Sequence, residues 1–195
     1  MRVFVAIDLD HEIGEKIARF LEGVRGFAPE ARWVSPESLH VTLKFIGEQK
    51  PEQVAAITER LQSVVGEKVG IRVGGYGFFP TAKAPRVFWL GIVAGPELAE
   101  LAASIDSALS GLNIPREERP FSPHLTLARG GAKSGSPGWR RGDGPNSTFA
   151  TLQKRLAALS KLDLGTMSAR EFFLYQSQFS PGGSKYTKLQ AFPLR

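Results

Sequence analysis

The first apolar run, Val3 to Ile7, is closed by Asp8 and has the length of a buried strand. From Asp10 to Val24 the period changes: Ile13, Ile17, Phe20, Leu21 and Val24 fall at helical spacing. Asp10 is placed to cap that helix, and Gly26 lies just beyond its end. A short extended segment around Arg32-Trp33-Val34 precedes a second apolar run, Leu39 to Gly47, again of strand length. Pro51 to Val65 reads as a helix with Pro at its first turn and a stripe of Val54, Ile57, Leu61, Val64 and Val65. Two strands follow, Lys68 to Phe79 and Arg86 to Val93, joined by the loop Pro80 to Pro85, and then a helix from Glu97 to Leu112.

His124 to Ala128 is a further strand, and Gly130 to Pro145 a basic loop rich in Gly, Ser and Pro. A fourth helix, about Ser147 to Leu162, leads to strands Ala169 to Gln178 and Tyr186 to Phe192 around the turn Ser180-Pro181-Gly182-Gly183. Helices separated by groups of strands predict an α+β fold, not a doubly wound sheet. The cluster Gly74-Gly75-Tyr76-Gly77 is followed by no Lys-Ser/Thr and no helix, so it predicts a bulge or close strand packing and not a phosphate loop.

One phrase occurs twice on the predicted strands. His40-Val41-Thr42-Leu43 and His124-Leu125-Thr126-Leu127 both read His, apolar, Thr, apolar, and they use two of the three histidines. Alternation puts each His and its Thr on one face and the apolar pair on the other. A single His on a strand is ordinarily a surface or core residue. Composition supplies such a triplet after a given His only about once in a hundred, so a paired occurrence calls for a function. Two imidazoles can divide acid and base roles near neutral pH, and two hydroxyls can donate to phosphoryl oxygens. Helix–strand–strand units around both copies predict a duplicated, two-lobed design.

Other chemistries fit poorly. There is no Cys, hence no disulfide framework or thiolate, and the two histidines lack the close spacing of metal ligands. Asp8 is the nearest carboxylate candidate but reads as a strand end or brace, and His11 sits on a charged helix start. No apolar stretch approaches bilayer length, and Met1 to Leu9 is too short and too soon broken by Asp8 for a signal peptide. A cytoplasmic location is expected. With 42% apolar and 23% charged residues the 195-residue chain has an ordinary globular composition, and its net charge of +6 favours an anionic partner.

These residues resemble the two-histidine phosphoesterases, and within them the bacterial and archaeal RNA 2′,3′-cyclic phosphodiesterases of the LigT/ThpR type. The likeness is carried by Arg2 to Ile7, Trp33 to Gly47, Gly77 to Pro80, Pro85 to Gly91, Phe121 to Arg129 and Leu174 to Ser177. It implies a single two-lobed domain over 1–195, with antiparallel sheets lining a central cleft, helices outside, and no metal or cofactor. It implies a monomer that opens RNA 2′,3′-cyclic phosphate ends, tRNA fragments among them, to 2′-phosphate. In that scheme His124 activates water, His40 protonates the departing 3′-oxygen, Thr42 and Thr126 hold the phosphate, Arg129 adds charge and Phe45 stacks on a base.

The same residues would serve an ATP-independent 2′–5′ RNA ligase acting on tRNA-like halves. A non-catalytic module holding RNA ends is a third reading, which leaves the second titrating group without a purpose. Phe45 and Arg129 each lie five positions after their His, on the wrong face of an ideal strand, so each strand must bulge, twist or end for them to reach the cleft. Lys83 and Arg86, with Lys133, Arg140 and Arg141 in the Gly-rich loop, could follow an RNA backbone or simply keep the surface charged.

Overall fold

The computed structural model describes residues 1–130, 147–180 and 183–195. The chain runs β1 (Arg2–Asp8), α1 (His11–Val24), β2 (Arg32–Trp33), β3 (His40–Glu48), α2 (Pro51–Gln62), β4 (Val69–Phe79), β5 (Val87–Ala94), α3 (Pro96–Leu109), β6 (His124–Arg129), α4 (Ala150–Ala157), β7 (Asp163–Ala169), β8 (Glu171–Ser180) and β9 (Gly183–Pro193). The strands form two antiparallel sheets, β3-β1-β8-β9 and β2-β6-β5-β4-β7. This is the expected two-lobed α+β architecture. β1-α1-β3 in the first sheet has its counterpart in β5-α3-β6 in the second, each a strand, a helix and a His-bearing neighbour. The chain completes the second sheet before β8 and β9 return to close the first.

Local chemistry explains most boundaries. Asp10 caps α1 by accepting from the Ile13 N–H at 2.8 Å, and Ile13, Ile17, Leu21 and Val24 form its buried stripe. α1 follows a strand of the first sheet but packs on β7 of the second, while α3 follows the second sheet and packs on β3 of the first. That exchange ties the lobes into one continuous core running through Val5, Ile17, Val41, Ile71, Leu90, Ile105, Leu125 and Phe172. None of the helices among the described residues is long and apolar enough to cross a membrane.

Several boundaries differ from the sequence pattern. α2 ends at Gln62, leaving Val65 81% exposed instead of extending the stripe. α4 ends at Ala157, and 163–169, expected to follow the helix as a connection, forms β7 against β4. Ala169 therefore ends β7, and β8 starts at Glu171. Gly165, at φ +106°, and polar Asp163 and Thr166 break the alternation that marks a strand, so pairing with β4 and not intrinsic preference makes β7. In β4 a bulge lies between Val73 and Tyr76, where Gly75 has φ +69°, and Gly77 admits the Trp89 ring where a Cβ would collide. The stretch 131–146, with Lys133, Arg140 and Arg141, and the turn residues Pro181 and Gly182 lie outside the described residues.

Candidate active site

β3 and β6 meet where the two sheets adjoin. Their side chains follow one burial sequence through the first six positions: His half-buried, Val or Leu buried, Thr half-buried, Leu buried, Lys or Ala buried, Phe or Arg exposed. Two consecutive buried residues break the alternation, and the pairing shows why. On β3, Thr42 pairs with Ala6 and Lys44 with Val5, leaving Leu43 as an extra residue. On β6, Thr126 pairs with Trp89 and Ala128 with Phe88, leaving Leu127 extra.

Each bulge reverses the parity of the residues beyond it. Phe45 therefore pairs with Phe4 on the face that carries His40 and Thr42, and Arg129 pairs with Val87 on the face that carries His124 and Thr126. The structure thus puts His40, Thr42 and Phe45 on one face of β3, and His124, Thr126 and Arg129 on one face of β6. Phe45 is 66% exposed, which removes core packing as its role. Strand ending does not turn Phe45, whereas β6 does end at Arg129. β3 runs on to Glu48.

Both imidazoles are fixed by the same contact. Nδ1 of His40 lies 2.8 Å from the Ser38 carbonyl and Nδ1 of His124 lies 2.8 Å from the Ser122 carbonyl. A carbonyl can only accept, so Nδ1 carries the proton in each ring and Nε2 is the nitrogen left for chemistry. Aromatic rings hold the planes: Phe4 stands 4.7 Å from His40 with Tyr186 edge-on at 5.1 Å, and Phe79 meets His124 edge-on at 5.0 Å with Trp89 at 6.3 Å.

The sequence pattern passed over several of these partners. Phe4, Tyr175 and Tyr186 converge on His40 from three strands, and nothing local in the sequence announces that convergence. Asp8 does end β1, as expected of it, and does more besides. It accepts a hydrogen bond from the Tyr175 hydroxyl and pairs with Lys188 at 2.5 Å, while Lys188 lies 4.2 Å over the Phe173 ring. Burial pushes the His40 pKa below its ordinary value, partly offset by the Ser38 carbonyl and the Asp8 carboxylate. Burial, the nearby carboxylate and their hydrogen bond push the Tyr175 phenol far up, so it stays a donor.

Arg129 is the last residue of β6. Burial lowers its pKa, opposed by Tyr186 from the other sheet and reinforced by the positive charge of Arg32. Lys83 stands exposed in the loop before β5, away from the His-bearing strands in sequence and pairing, and Arg86 closes that loop through its N–H to the Phe79 carbonyl at 2.8 Å. His11 pairs with Glu15 at 3.4 Å on the surface of α1, outside the site. Among the described residues no three His, Cys, Asp or Glu side chains cluster in a way that could hold a metal ion.

The LigT-like phosphoesterase model matches the chain twice, over 7–89 and 90–186, so that each match contains one His-Thr strand. The chain is 35% identical over 192 residues to the RNA 2′,3′-cyclic phosphodiesterase of Archaeoglobus fulgidus, covering 98% of this chain and 99% of that protein. A crystal structure from Thermus thermophilus superposes with a TM-score of 0.77 at 26% identity, covering 100% of this chain and 98% of the other. Escherichia coli LigT in complex with 3′-AMP gives a TM-score of 0.74 at 28% identity, with 99% and 97% covered.

Proposed function

Because the chain belongs to the LigT-like phosphoesterase family, we propose that it hydrolyses RNA 2′,3′-cyclic phosphate ends to 2′-phosphates by paired imidazole catalysis, without a metal. The observation that carries the reading is the shared geometry of His40 and His124. Each is fixed through Nδ1 to a main-chain carbonyl, with a Thr on the same face. Identical fixation of two titrating groups on opposed strands is what an in-line displacement at phosphorus requires.

In this reading the cyclic phosphate lies between the strands, with Thr42 and Thr126 donating to its non-bridging oxygens. Nε2 of His124 takes a proton from water as its oxygen attacks phosphorus. The P–O3′ bond breaks, and Nε2–H of His40 delivers a proton to the departing 3′-oxygen. The products are a 2′-phosphate and a 3′-hydroxyl, with His124 protonated and His40 neutral, and exchange with solvent resets the pair.

Burial makes His40 hard to protonate in the free protein. The phosphate anion, with Asp8 behind the ring, supplies the negative charge that favours imidazolium, so the acid is loaded when substrate binds. Residues 1–195 act here as one two-lobed domain, a monomer in the cytoplasm, with RNA fragments as substrate.

The test is incubation in EDTA with an oligoribonucleotide ending in a 2′,3′-cyclic phosphate. The expected product is the 2′-phosphate. A 3′-phosphate product, or full loss of activity in EDTA, overturns the reading. Supplying RNA halves with cyclic phosphate and 5′-hydroxyl ends measures joining against hydrolysis in the same reaction, and predominant joining would make the protein a 2′–5′ ligase.

A further inference from the structure

Two aromatic rings among the described residues stand more than half exposed, Phe45 at 66% and Phe179 at 76%. Pairing puts both on one face of the first sheet. On β1, Arg2 and Phe4 alternate with the core residues Val3 and Val5; Phe4 pairs with Phe45 on β3, and Arg2 with Ser177 on β8. Phe179 follows Ser177 by two residues and so shares that face, where the Arg2 guanidinium lies over its ring at 5.4 Å. The same face carries His40 and Thr42, which pair with Asp8 and Ala6 at the other end of β1.

A single exposed ring is ordinary. Two rings on the face of the site, the outer one topped by a cation, suit a ligand that offers both flat apolar surfaces and negative charge. Single-stranded RNA offers both, base by base. Arg2 has no carboxylate partner among the described residues, and Glu48, opposite it on β3, is engaged by the chain's amino terminus at 3.4 Å. Stacking occupies the plane of the guanidinium and leaves its N–H edge free for phosphate oxygens.

The spacing sets how far along the RNA this grip falls. Tyr175 pairs with Phe4, so Phe179 lies four residues, about 13 Å, beyond the level of Phe45 and two strands, about 10 Å, to its side. The separation is about 16 Å. A nucleotide has six backbone bonds where a residue has three, so it advances its chain by up to about 7 Å. With the terminal base on Phe45, Phe179 therefore stands about two or three nucleotides upstream.

We propose that Phe179 and Arg2 form a second RNA subsite, remote from the reacting phosphate, in which the ring stacks on an unpaired upstream base and the guanidinium holds the phosphate beside it. The proposal rests on the phosphodiesterase reading and adds a requirement to it: the cyclic end must be carried on a single-stranded tail long enough to reach Phe179.

The experiment uses a hexaribonucleotide ending in a 2′,3′-cyclic phosphate, made abasic at one position at a time, with wild type, Phe179→Ala and Phe179→Trp. In the wild type an abasic third or fourth nucleotide from the end should raise KM by about tenfold, the worth of one stacked base, with kcat unchanged. Loss of the fifth or sixth base should change nothing. Phe179→Ala should raise KM for the intact hexamer by the same factor and become indifferent to the third and fourth bases, while a dinucleotide is turned over as by wild type. Phe179→Trp should restore the wild-type profile. Arg2→Gln should make the salt dependence shallower by about 0.7 in log–log slope for the hexamer only, the loss of one phosphate contact on a single strand.

A companion binding measurement needs no turnover. A hexamer ending in a 2′-phosphate and carrying 2-aminopurine at the third or fourth position should lose fluorescence on binding wild type and keep it with Phe179→Ala. A wild-type profile flat beyond the second base, or a Phe179→Ala loss equal on dinucleotide and hexamer, overturns the subsite and leaves the phosphodiesterase reading standing. Quenching that depends on Phe179 without turnover of any cyclic end would do the reverse.

Discussion

Set side by side, β3 and β6 share their bulge, their burial sequence and their His–carbonyl contact, and differ in nearly everything around these. His40 is enclosed by Phe4, Tyr175 and Tyr186 with a carboxylate behind it, while His124 meets Phe79 and Trp89, which pack on each other at 5.1 Å. After the bulge β3 presents an aromatic ring and β6 a guanidinium. Beneath the bulge β3 has Lys44, 6% exposed and bound to Asp106 at 2.5 Å and to the Pro115 carbonyl at 2.6 Å, where β6 has Ala128. The shared features fix geometry. The differing ones set protonation and what part of the substrate each strand meets.

The comparison is broken most severely at the histidines. His40→Ala and His124→Ala should each lower turnover of a cyclic-phosphate end by about 10²–10⁴-fold. If one variant keeps full turnover, the strands are not partners in one step. The sharper version uses a substrate whose 3′ leaving group needs no proton. It should partly rescue His40→Ala and leave His124→Ala inactive, and the opposite pattern would exchange the roles.

The second largest effect is on stability. Burial works against the Asp106 carboxylate, but Lys44, the Glu117 N–H and Arg116 outweigh it and keep its pKa low. Asp106→Ala strands the buried Lys44 ammonium and should cost about 3 kcal/mol or more in denaturant unfolding. Lys44→Met removes the charge as well, bringing β3 closer to β6 in character, and should cost far less. Equal losses would mean that the pair itself, and not the stranded ammonium, is what matters.

Phe45→Ala should weaken RNA binding by about 1–3 kcal/mol, the worth of one stacked base, and act mainly on KM. An unchanged KM would overturn the stacking role.

The smallest effect concerns the carboxylate found only behind His40. Asp8→Asn removes a charge that raises the His40 pKa, so NMR titration should find that pKa lower still. Stability changes with it. With the folded pKa below the ordinary value of about 6.5, the unfolded chain binds the proton more readily, so stability is lost as pH falls from about 6.5 through the folded value. Asp8→Asn should deepen that acid loss, and unchanged acid sensitivity would show that Asp8 does not reach the ring.

The elements that were legible share one property: their signal is local. Asp10 and the stripe of α1 lie within one segment, and the repeated His-x-Thr phrase lies on two apolar runs. What escaped depends on distant pairing. The bulges are hidden because Leu43-Lys44 and Leu127-Ala128 look like ordinary alternation slips until Val5 and Phe88 are seen opposite them. Tyr186, edge-on to His40, comes from the far end of the chain. β7 is a strand through its partner β4, and no window of sequence contains that partner.

The late return of β8 and β9 has a consequence for synthesis. β4 to β7 can close on one another while the ribosome is still making the chain, because all their sheet partners precede residue 170. β1 and β3 are made first and can pair with each other, but their sheet is completed only by β8, whose Tyr175 finishes the small buried cluster with Phe4 and Ala6. The first half to be translated is therefore the last to be finished. A nascent chain stalled before residue 171 presents His124 on a formed sheet and His40 on an unsupported one, and so emerges without activity toward the RNA around it.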